Sequence, residues 1–218
     1  MGAKGEALAK QFETKAQEAT AVLEKLSEAA WKKVTEAEKW TVGVTAHHVA
    51  GGHEAIANIV KTIASGQSMP HFTMDMLHEA NAKHAREHAS CTKADPIALH
   101  KKGAAAAATV VRGLSDDQLA ATGTVLAGAP PMSTEQVVKN ILINHIDDHF
   151  SSIKKTISAL RDRAPGRARR RHADRRALQR SVSFGRSSTR SASRASMRHA
   201  VSWWRVASAS SVYVSNNT

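Results

Sequence analysis

The amino-acid sequence predicts an all-α fold, a four-helix bundle followed by a C-terminal tail. Apolar residues recur at helical spacing along most of residues 1–163, and several Ser, Thr and Asp residues stand where helix N-caps are needed. From residue 164 onward, the Lys, Glu and Ala of the bundle give way to Arg and Ser. We therefore expect a helical domain over residues 1–163 and a disordered low-complexity tail over residues 164–218.

The first long helix is predicted from about Glu6 to Leu26, where Ala, Glu, Lys, Gln and Leu predominate. Its apolar stripe consists of Leu8, Phe12, Ala16, Ala19, Val22, Leu23 and Leu26. The connection that follows holds Trp31 and Trp40. We interpret both tryptophans as core residues rather than as a stacking platform.

The second long helix is predicted to begin after Thr41, a residue suited to the N-cap position. Its apolar stripe consists of Val44, Thr45, His48, Gly52, Ala55, Ile56, Ile59 and Ile63. One histidine, His48, therefore lies inside the stripe, whereas His47 and His53 lie toward its flanks.

Two further helices and a helical turn are predicted in the middle of the chain. One helix spans about Asp75–Ser90. The next opens at Asp95, an N-cap followed by a proline, and reaches about Arg112. Ser115 has capping-box spacing to Gln118 and is expected to start the short helical turn.

The last long helix is predicted to follow a loop over residues 122–132. Ser133 repeats the capping-box spacing, here to Gln136, and the helix continues to about Leu160. Its apolar line consists of Val138, Ile141, Leu142, His145, His149, Ile153, Ile157 and Leu160. Two histidines therefore occupy core positions on one helix.

The spacing of these two histidines favours metal binding. His145 and His149 are four residues apart, so both rings can reach a common point on one helix face. Imidazole suits Zn²⁺, Ni²⁺, Fe²⁺ or Cu²⁺, and a third imidazole from a facing helix would leave one coordination position open. His48 is the first candidate for the third ligand, although spacing alone leaves other histidines open. Asp148 is a candidate to orient a ligand ring or to take a proton, with solvent exposure as the alternative.

The other histidines are interpreted without a metal. His84 and His88 are also four residues apart, but the charged residues around them indicate a solvated helix. We interpret both as surface or cavity-rim residues. The same interpretation covers His47, His53, His71, His78 and His100.

One stretch near the second helix resembles a known family. Residues 40–56, WTVGVTAHHVAGGHEAI, resemble the opening of helix two in the DinB-like and mycothiol-dependent maleylpyruvate isomerase superfamily, where a Trp, a small polar residue and an apolar run lead to a ligand histidine. Counting along that pattern selects His48 over His47. Residues 81–119 are similar in layout to the region that follows in the family.

A second stretch resembles the final helix of the same superfamily. It is AGAPPMSTEQVVKNILINHIDDHFSSI, residues 127–153, with the family's HxxxH pair at His145 and His149. The resemblance thus covers roughly Leu8–Leu160. The chain departs from the family in one detail, since Ser152 stands where relatives often carry Gln, and the surroundings of the ligand pair are expected to differ accordingly.

The resemblance implies a four-helix bundle with a three-histidine metal site near one end, formed by His48, His145 and His149. Characterised members include thiol-dependent transferases and isomerases, in which the metal activates the sulfur of mycothiol, bacillithiol or a similar small thiol. We expect a divalent-metal-dependent S-transferase or isomerase, with Zn²⁺ favoured over Ni²⁺ and Fe²⁺. Its partners would be a low-molecular-weight thiol and an electrophile, and a homodimer stays open. The alternative is a non-enzymatic metal-binding or stress-related bundle whose basic tail binds nucleic acid.

The tail carries nearly all of the formal charge of +12. Residues 1–163 hold 19 Lys and Arg against 18 Asp and Glu, whereas residues 164–218 hold 12 Arg against one Asp. One interpretation is an extension without a selected role, as from a shifted reading frame, which the abrupt change in composition suggests. The other is an electrostatic arm that binds nucleic acid or an anionic membrane. We favour the first.

Cysteine usage and the N-terminal residues bear on location. Cys91, the only cysteine, follows a predicted helix end and is interpreted as an unreactive thiol. A single cysteine excludes an intrachain disulfide and fits a reducing compartment. The first residues contain no uninterrupted apolar run, so neither a signal peptide nor a membrane span is predicted, and a cytoplasmic location is expected.

Overall fold

Four long helices, joined by shorter elements, form a bundle. The computed structural model describes residues 2–163, and the predicted tail lies outside the described residues. The long helices are α1 (Ala3–Glu24), α3 (Val42–Ala64), α5 (Ala94–Arg112) and α8 (Asn144–Arg163). Because α1 and α3 each contact both α5 and α8, the four pack around one core, which confirms the predicted all-α bundle.

The remaining elements are short, apart from one helix that lies against α3. They are α2 (Glu28–Trp31), α4 (Met74–Glu87), α6 (Asp116–Ala120), α7 (Thr134–Val137) and the two-residue antiparallel strands β1 (Thr122–Gly123) and β2 (Met132–Ser133). The strands pair the two ends of the segment that was predicted as a loop. No helix within residues 2–163 has both the length and the apolar character needed to cross a membrane.

The predicted caps at three helix starts are confirmed. The Thr41 hydroxyl oxygen accepts a hydrogen bond from the backbone N–H of Val44 at 3.2 Å, which fixes the start of α3. Ser115 and Ser133 each form a complete capping box with the glutamine three residues later. These bonds satisfy backbone donors that a helix start leaves without partners, so the sequence determines where α3, α6 and α7 begin.

The N-cap predicted at Asp95 is wrong by two residues. The helix α5 begins at Ala94 with Lys93 before it, and Asp95 lies in the first turn. Its carboxylate instead accepts hydrogen bonds from the backbone N–H and the hydroxyl group of Thr92. Asp95 thus still supports the helix start, because a negative charge in the first turn interacts favourably with the helix dipole.

The last helix was predicted as continuous α-helix but contains a π-helical segment, Val138–Ile143, between α7 and α8. A π-helical turn accommodates an extra residue because its hydrogen bonds join residues five apart. Val137 just before the segment is buried, and so are Val138, Leu142 and Ile143 within it. Apolar residues spaced four and five apart fit either helix type, so the sequence pattern did not distinguish them. The widened turn lies directly before His145, and such turns are frequent at functional sites.

Small side chains bring α5 close to α3. Gly103, Ala104, Ala107 and Ala108 are all buried on α5. A Cβ atom added at Gly103 would lie 3.2 Å from the carbonyl oxygen of Ala50 on α3. The bundle around this contact is filled by large side chains, among them Phe12, Leu23, Ile56, Ile63, Leu142 and Ile153. Each fully buried side chain of this size contributes about 1.5–3 kcal/mol of transfer free energy.

Candidate metal centre

Three buried histidines converge where α3 faces α8. His48 comes from α3, and His145 and His149 come from successive turns of α8. The Nε2 atoms of His48 and His145 lie 3.1 Å apart, and one ring nitrogen from each of the three histidines lies within 4.8 Å of the others. With Zn–N bonds of about 2.0–2.1 Å, tetrahedral ligand nitrogens are about 3.4 Å apart. The three rings are therefore close to the separation that a shared divalent ion requires.

A glycine on α3 makes room for one of these rings. Gly52 lies one turn after His48, and a Cβ atom added there would lie 2.5 Å from Cε1 of His145, closer than real Cβ contacts allow. At the preceding residue, Gly51, a Cβ atom would have no neighbour within 4 Å. The absence of a side chain at Gly52 therefore lets α8 place the His145 ring against the backbone of α3.

A buried carboxylate orients the third ring. The Nδ1 atom of His149 lies 2.9 Å from Oε1 of Glu38, and the Ser152 hydroxyl donates to Oε2 of Glu38 at 2.6 Å. A carboxylate accepts, so Nδ1 of His149 carries the proton and Nε2 presents its lone pair. This Nε2 atom is buried and has no hydrogen-bond partner among the described residues. A carboxylate behind a histidine with a vacant inward nitrogen is the arrangement that supports metal-bound histidines, and the donor set fits a divalent ion such as Zn²⁺.

The loop before α3 delivers Glu38 into the bundle. The backbone N–H of Thr35 donates to the carbonyl oxygen of Trp40 at 2.8 Å, and Val34 pairs with Thr41 as an isolated bridge. Lys39 closes the turn with a φ of 61°, a left-handed conformation that is costly for a residue with a side chain. This tight turn places the Glu38 side chain in the bundle, where it is only 5% exposed and contacts His149.

Sequence reasoning missed Glu38. It lies in a run of alternating Glu, Ala and Lys on a connection, where a solvated side chain is the ordinary expectation. The one available signal was its position between Trp31 and Trp40, since two large aromatic residues bring their connection toward the core. Ser152 is the residue that supports Glu38.

The electrostatics keep the histidines in the form that binds metals. Burial, followed by the neighbouring histidines, lowers the pKa of His48 and of His145 well below the ordinary value. Both imidazoles are therefore neutral at physiological pH, which is the ligating form. Burial alone would raise the pKa of Glu38, but hydrogen bonds from His149 and Ser152 outweigh it and lower this pKa, so Glu38 is a carboxylate.

The aspartates beside the histidine pair lie farther toward the surface. Asp147 is exposed and pairs with Lys15 on α1 at 2.9 Å. Asp148 is half-buried. The carboxylate that contacts His149 comes from Glu38, and the role of Asp148 in orienting a ring or taking a proton stays a prediction.

The two tryptophans occupy different environments. Trp31 is buried, as predicted, and its indole N–H donates to the carbonyl oxygen of Cys91. Trp40 is half-buried with its ring 5.3 Å from that of His48, centroid to centroid and edge to face. Trp40 therefore forms one wall beside a candidate ligand.

Two of the remaining histidines are not surface residues, which corrects the sequence interpretation. His53 and His100 have no exposed surface, and their rings meet edge to face at 4.6 Å. Burial lowers the pKa of His53 to about 3 and that of His100 to about 4. The stripe pattern failed at His53 because α3 packs against helices on several sides. It failed at His100 because α5 packs against both α1 and α3.

His47, His84 and His88 form a second group, half-buried between α3 and α4. Their position agrees with the predicted cavity rim for His84 and His88, but the three rings contact one another. Burial, followed by the charges of neighbouring histidines, lowers the pKa of His84 to about 4. His78 is half-buried and His71 is exposed.

Comparison with known protein families identifies the chain. Residues 12–140 match the model of the mycothiol maleylpyruvate isomerase N-terminal domain. The chain belongs to this family. The matched range includes His48 and ends before His145, so the histidine pair on α8 lies beyond it.

A solved structure of the mycothiol maleylpyruvate isomerase family shares the fold. The crystal structure of the mycothiol-dependent maleylpyruvate isomerase superposes with a TM-score of 0.56 at 16% sequence identity. The similarity covers 68% of this chain and 60% of the other, so this chain spans less than two thirds of that protein. No curated protein matches the sequence.

Proposed function

We propose that the protein is a divalent-metal-dependent enzyme that acts with a low-molecular-weight thiol, as an S-transferase or an isomerase. The observation that carries the proposal is the Glu38–His149 hydrogen bond. It engages Nδ1 and leaves the buried Nε2 of His149 without a hydrogen-bond partner among the described residues, in a ring that is grouped with those of His48 and His145. A histidine oriented in this way is supported as a metal ligand by its own surroundings, not by spacing alone.

The proposed site has three protein ligands, His48, His145 and His149. Three ligands leave a tetrahedral ion one position for an exogenous group, which is typical of catalytic rather than structural sites. Bound there, a divalent ion would hold the sulfur of a small thiol as thiolate at neutral pH. The chain's own part is to hold the ion through neutral imidazoles and to fix the His149 ring through Glu38.

The protein's own cysteine does not compete for the role of nucleophile. Cys91 is the only cysteine in the sequence. Burial, followed by the charge of Asp95, raises the pKa of its thiol, so Cys91 is a thiol rather than a thiolate at neutral pH. The reacting sulfur is therefore expected to arrive with a substrate, and mycothiol is the first to test because the structural neighbour is named for it.

The experiment measures thiol consumption by the full chain in metal-stripped and Zn²⁺-loaded form. Mycothiol is offered with a thiol-reactive electrophile such as monochlorobimane, and in a separate assay with maleylpyruvate. The proposal predicts turnover that needs the metal, is lost in His145→Ala and is kept in His71→Ala, an exposed histidine outside the site. Metal binding without turnover of either substrate would favour the non-enzymatic metal-binding bundle instead.

A further inference from the structure

A second group of three histidines lies beside the first. His47 lies in α3, directly before His48, and His84 and His88 come from successive turns at the end of α4. Ring centroids lie 3.7 Å apart for His47 and His88, 4.5 Å for His84 and His88, and 5.1 Å for His47 and His84. One ring nitrogen from each of the three lies within 4.8 Å of the other two.

These rings have polar atoms that the protein does not satisfy. Nδ1 of His47 and Nε2 of His84 are buried and have no hydrogen-bond partner among the described residues. A buried polar atom without a partner costs about 1–3 kcal/mol, so the arrangement is unfavourable unless something else occupies these nitrogens. Within residues 2–163, no Lys, Arg or acidic side chain is hydrogen-bonded to His47, His84 or His88. Burial, followed by the charge of His88, lowers the pKa of His47 and outweighs the charge of Asp95, which raises it, so an ion pair does not explain the cluster.

His88 is the histidine of this cluster that can most easily change its ring orientation, because it lies at the end of α4. His88 is the C-cap residue of α4, half-buried, and its ring stacks on that of His47 with an angle of 18° between the planes. In stacked rings the nitrogen lone pairs of His47 and His88 lie in nearly parallel planes and do not point to a common ion. Binding an ion therefore requires the His88 ring to turn toward a point shared with His47 and His84. The position at a helix end permits this movement because the backbone there is not held by further helical turns.

We propose that His47, His84 and His88 bind a second divalent metal ion at the rim of the bundle. Three imidazoles select a borderline ion such as Zn²⁺, Ni²⁺ or Cu²⁺ over Mg²⁺ or Ca²⁺, which prefer oxygen ligands. The half-buried setting leaves the remaining coordination position open to water or to an oxygen anion from solution.

The second site adjoins the first. The rings of His84 and His48 lie 5.4 Å apart edge to face, and His47 and His48 are consecutive residues. An ion at the rim therefore places a second positive charge and a second open position next to the buried site. The rim site is expected to bind more weakly and to exchange faster, because its ligands are half-buried and lack an orienting carboxylate such as Glu38.

The test counts Zn²⁺ ions bound to the metal-stripped full chain by isothermal titration calorimetry. The wild type is expected to bind two ions, His88→Ala one, and His71→Ala two. His88→Gln is the second variant, since it keeps a polar side chain of similar length but removes the imidazole. Far-UV circular dichroism checks that each variant is helical.

The outcomes separate this proposal from the proposed function. The rim site would be overturned if both His88 variants bound two ions. It would also be overturned if the wild type bound only one ion, and that ion were lost in His145→Ala but kept in His88→Ala. A single ion that is lost in His88→Ala but kept in His145→Ala would support the rim site and contradict the buried one.

Discussion

Replacing Gly52 by alanine is expected to disrupt the buried metal site while replacing Gly51 is not. At Gly52 the new Cβ would lie 2.5 Å from Cε1 of His145, whereas ordinary contacts begin near 3.4 Å. The ring would have to retreat by the difference, about 0.9 Å. Metal–nitrogen distances tolerate only about 0.2 Å, so His145 would no longer reach a shared ion. We expect the affinity for Zn²⁺ to fall at least about 100-fold, the upper end of the effect of losing a supporting residue.

The alanine substitutions at Gly51 and Gly52 are also expected to differ in their effect on the free energy of unfolding. Alanine at Gly51 meets no atom within 4 Å and should stabilise α3 by up to about 1 kcal/mol through helix propensity. Alanine at Gly52 gains the same propensity but loses about 1–3 kcal/mol to overpacking, so it should be neutral or destabilising. Competition with a chelator gives the affinity and urea unfolding gives the stability, both in a His88→Ala background to isolate the buried site. Equal Zn²⁺ affinity in the Gly51 and Gly52 variants would refute the placement of His145.

Three further predictions concern the carboxylate, the buried histidines and the tail. Glu38→Gln should lower Zn²⁺ affinity about 10–100-fold by weakening the support of His149, while Glu36→Gln, at an exposed neighbour, should not; equal affinities would contradict the orienting role. The pKa of His53 is about 3 in the folded state and about 6.5 when unfolded, so the unfolded chain binds the extra proton between these values and stability falls as the pH falls. Between about pH 7.5 and about pH 5 the metal-free protein should lose about 2 kcal/mol through this group, and urea unfolding of His53→Leu should show a correspondingly smaller loss. Ending the chain after Arg163 should leave the helical signal and the metal content unchanged, and abolished nucleic-acid binding in that variant would contradict the interpretation of the tail as an extension without a role.

The parts of the fold that follow from local chemistry were predictable. Thr41, Ser115 and Ser133 supply hydroxyl groups to backbone donors within three residues, so their effect depends on nothing outside the segment. The pairing of His145 and His149 on one face likewise follows from helix geometry. Each of these features depends only on residues that are close together in the sequence.

The parts that depend on packing between distant segments were not predictable in the same way. Glu38 reaches His149 only because the connection before α3 folds under the bundle, across 111 positions of sequence. His53 and His100 were assigned to the surface because their burial arises from helices on several sides of α3 and of α5. The π-helical segment Val138–Ile143 joins α7 to α8, and the apolar spacing there fits either helix type, so the sequence did not distinguish it.

The zinc content of the purified full chain shows whether His48, His145 and His149 hold a divalent ion. After loading with excess Zn²⁺ and gel filtration, elemental analysis is compared among the wild type, His145→Ala and the exposed-residue control His71→Ala. If the three histidines hold the ion, His145→Ala will contain one equivalent of zinc less than the wild type and the control. Its helical circular dichroism signal will be unchanged. Equal zinc content in all three proteins would contradict it.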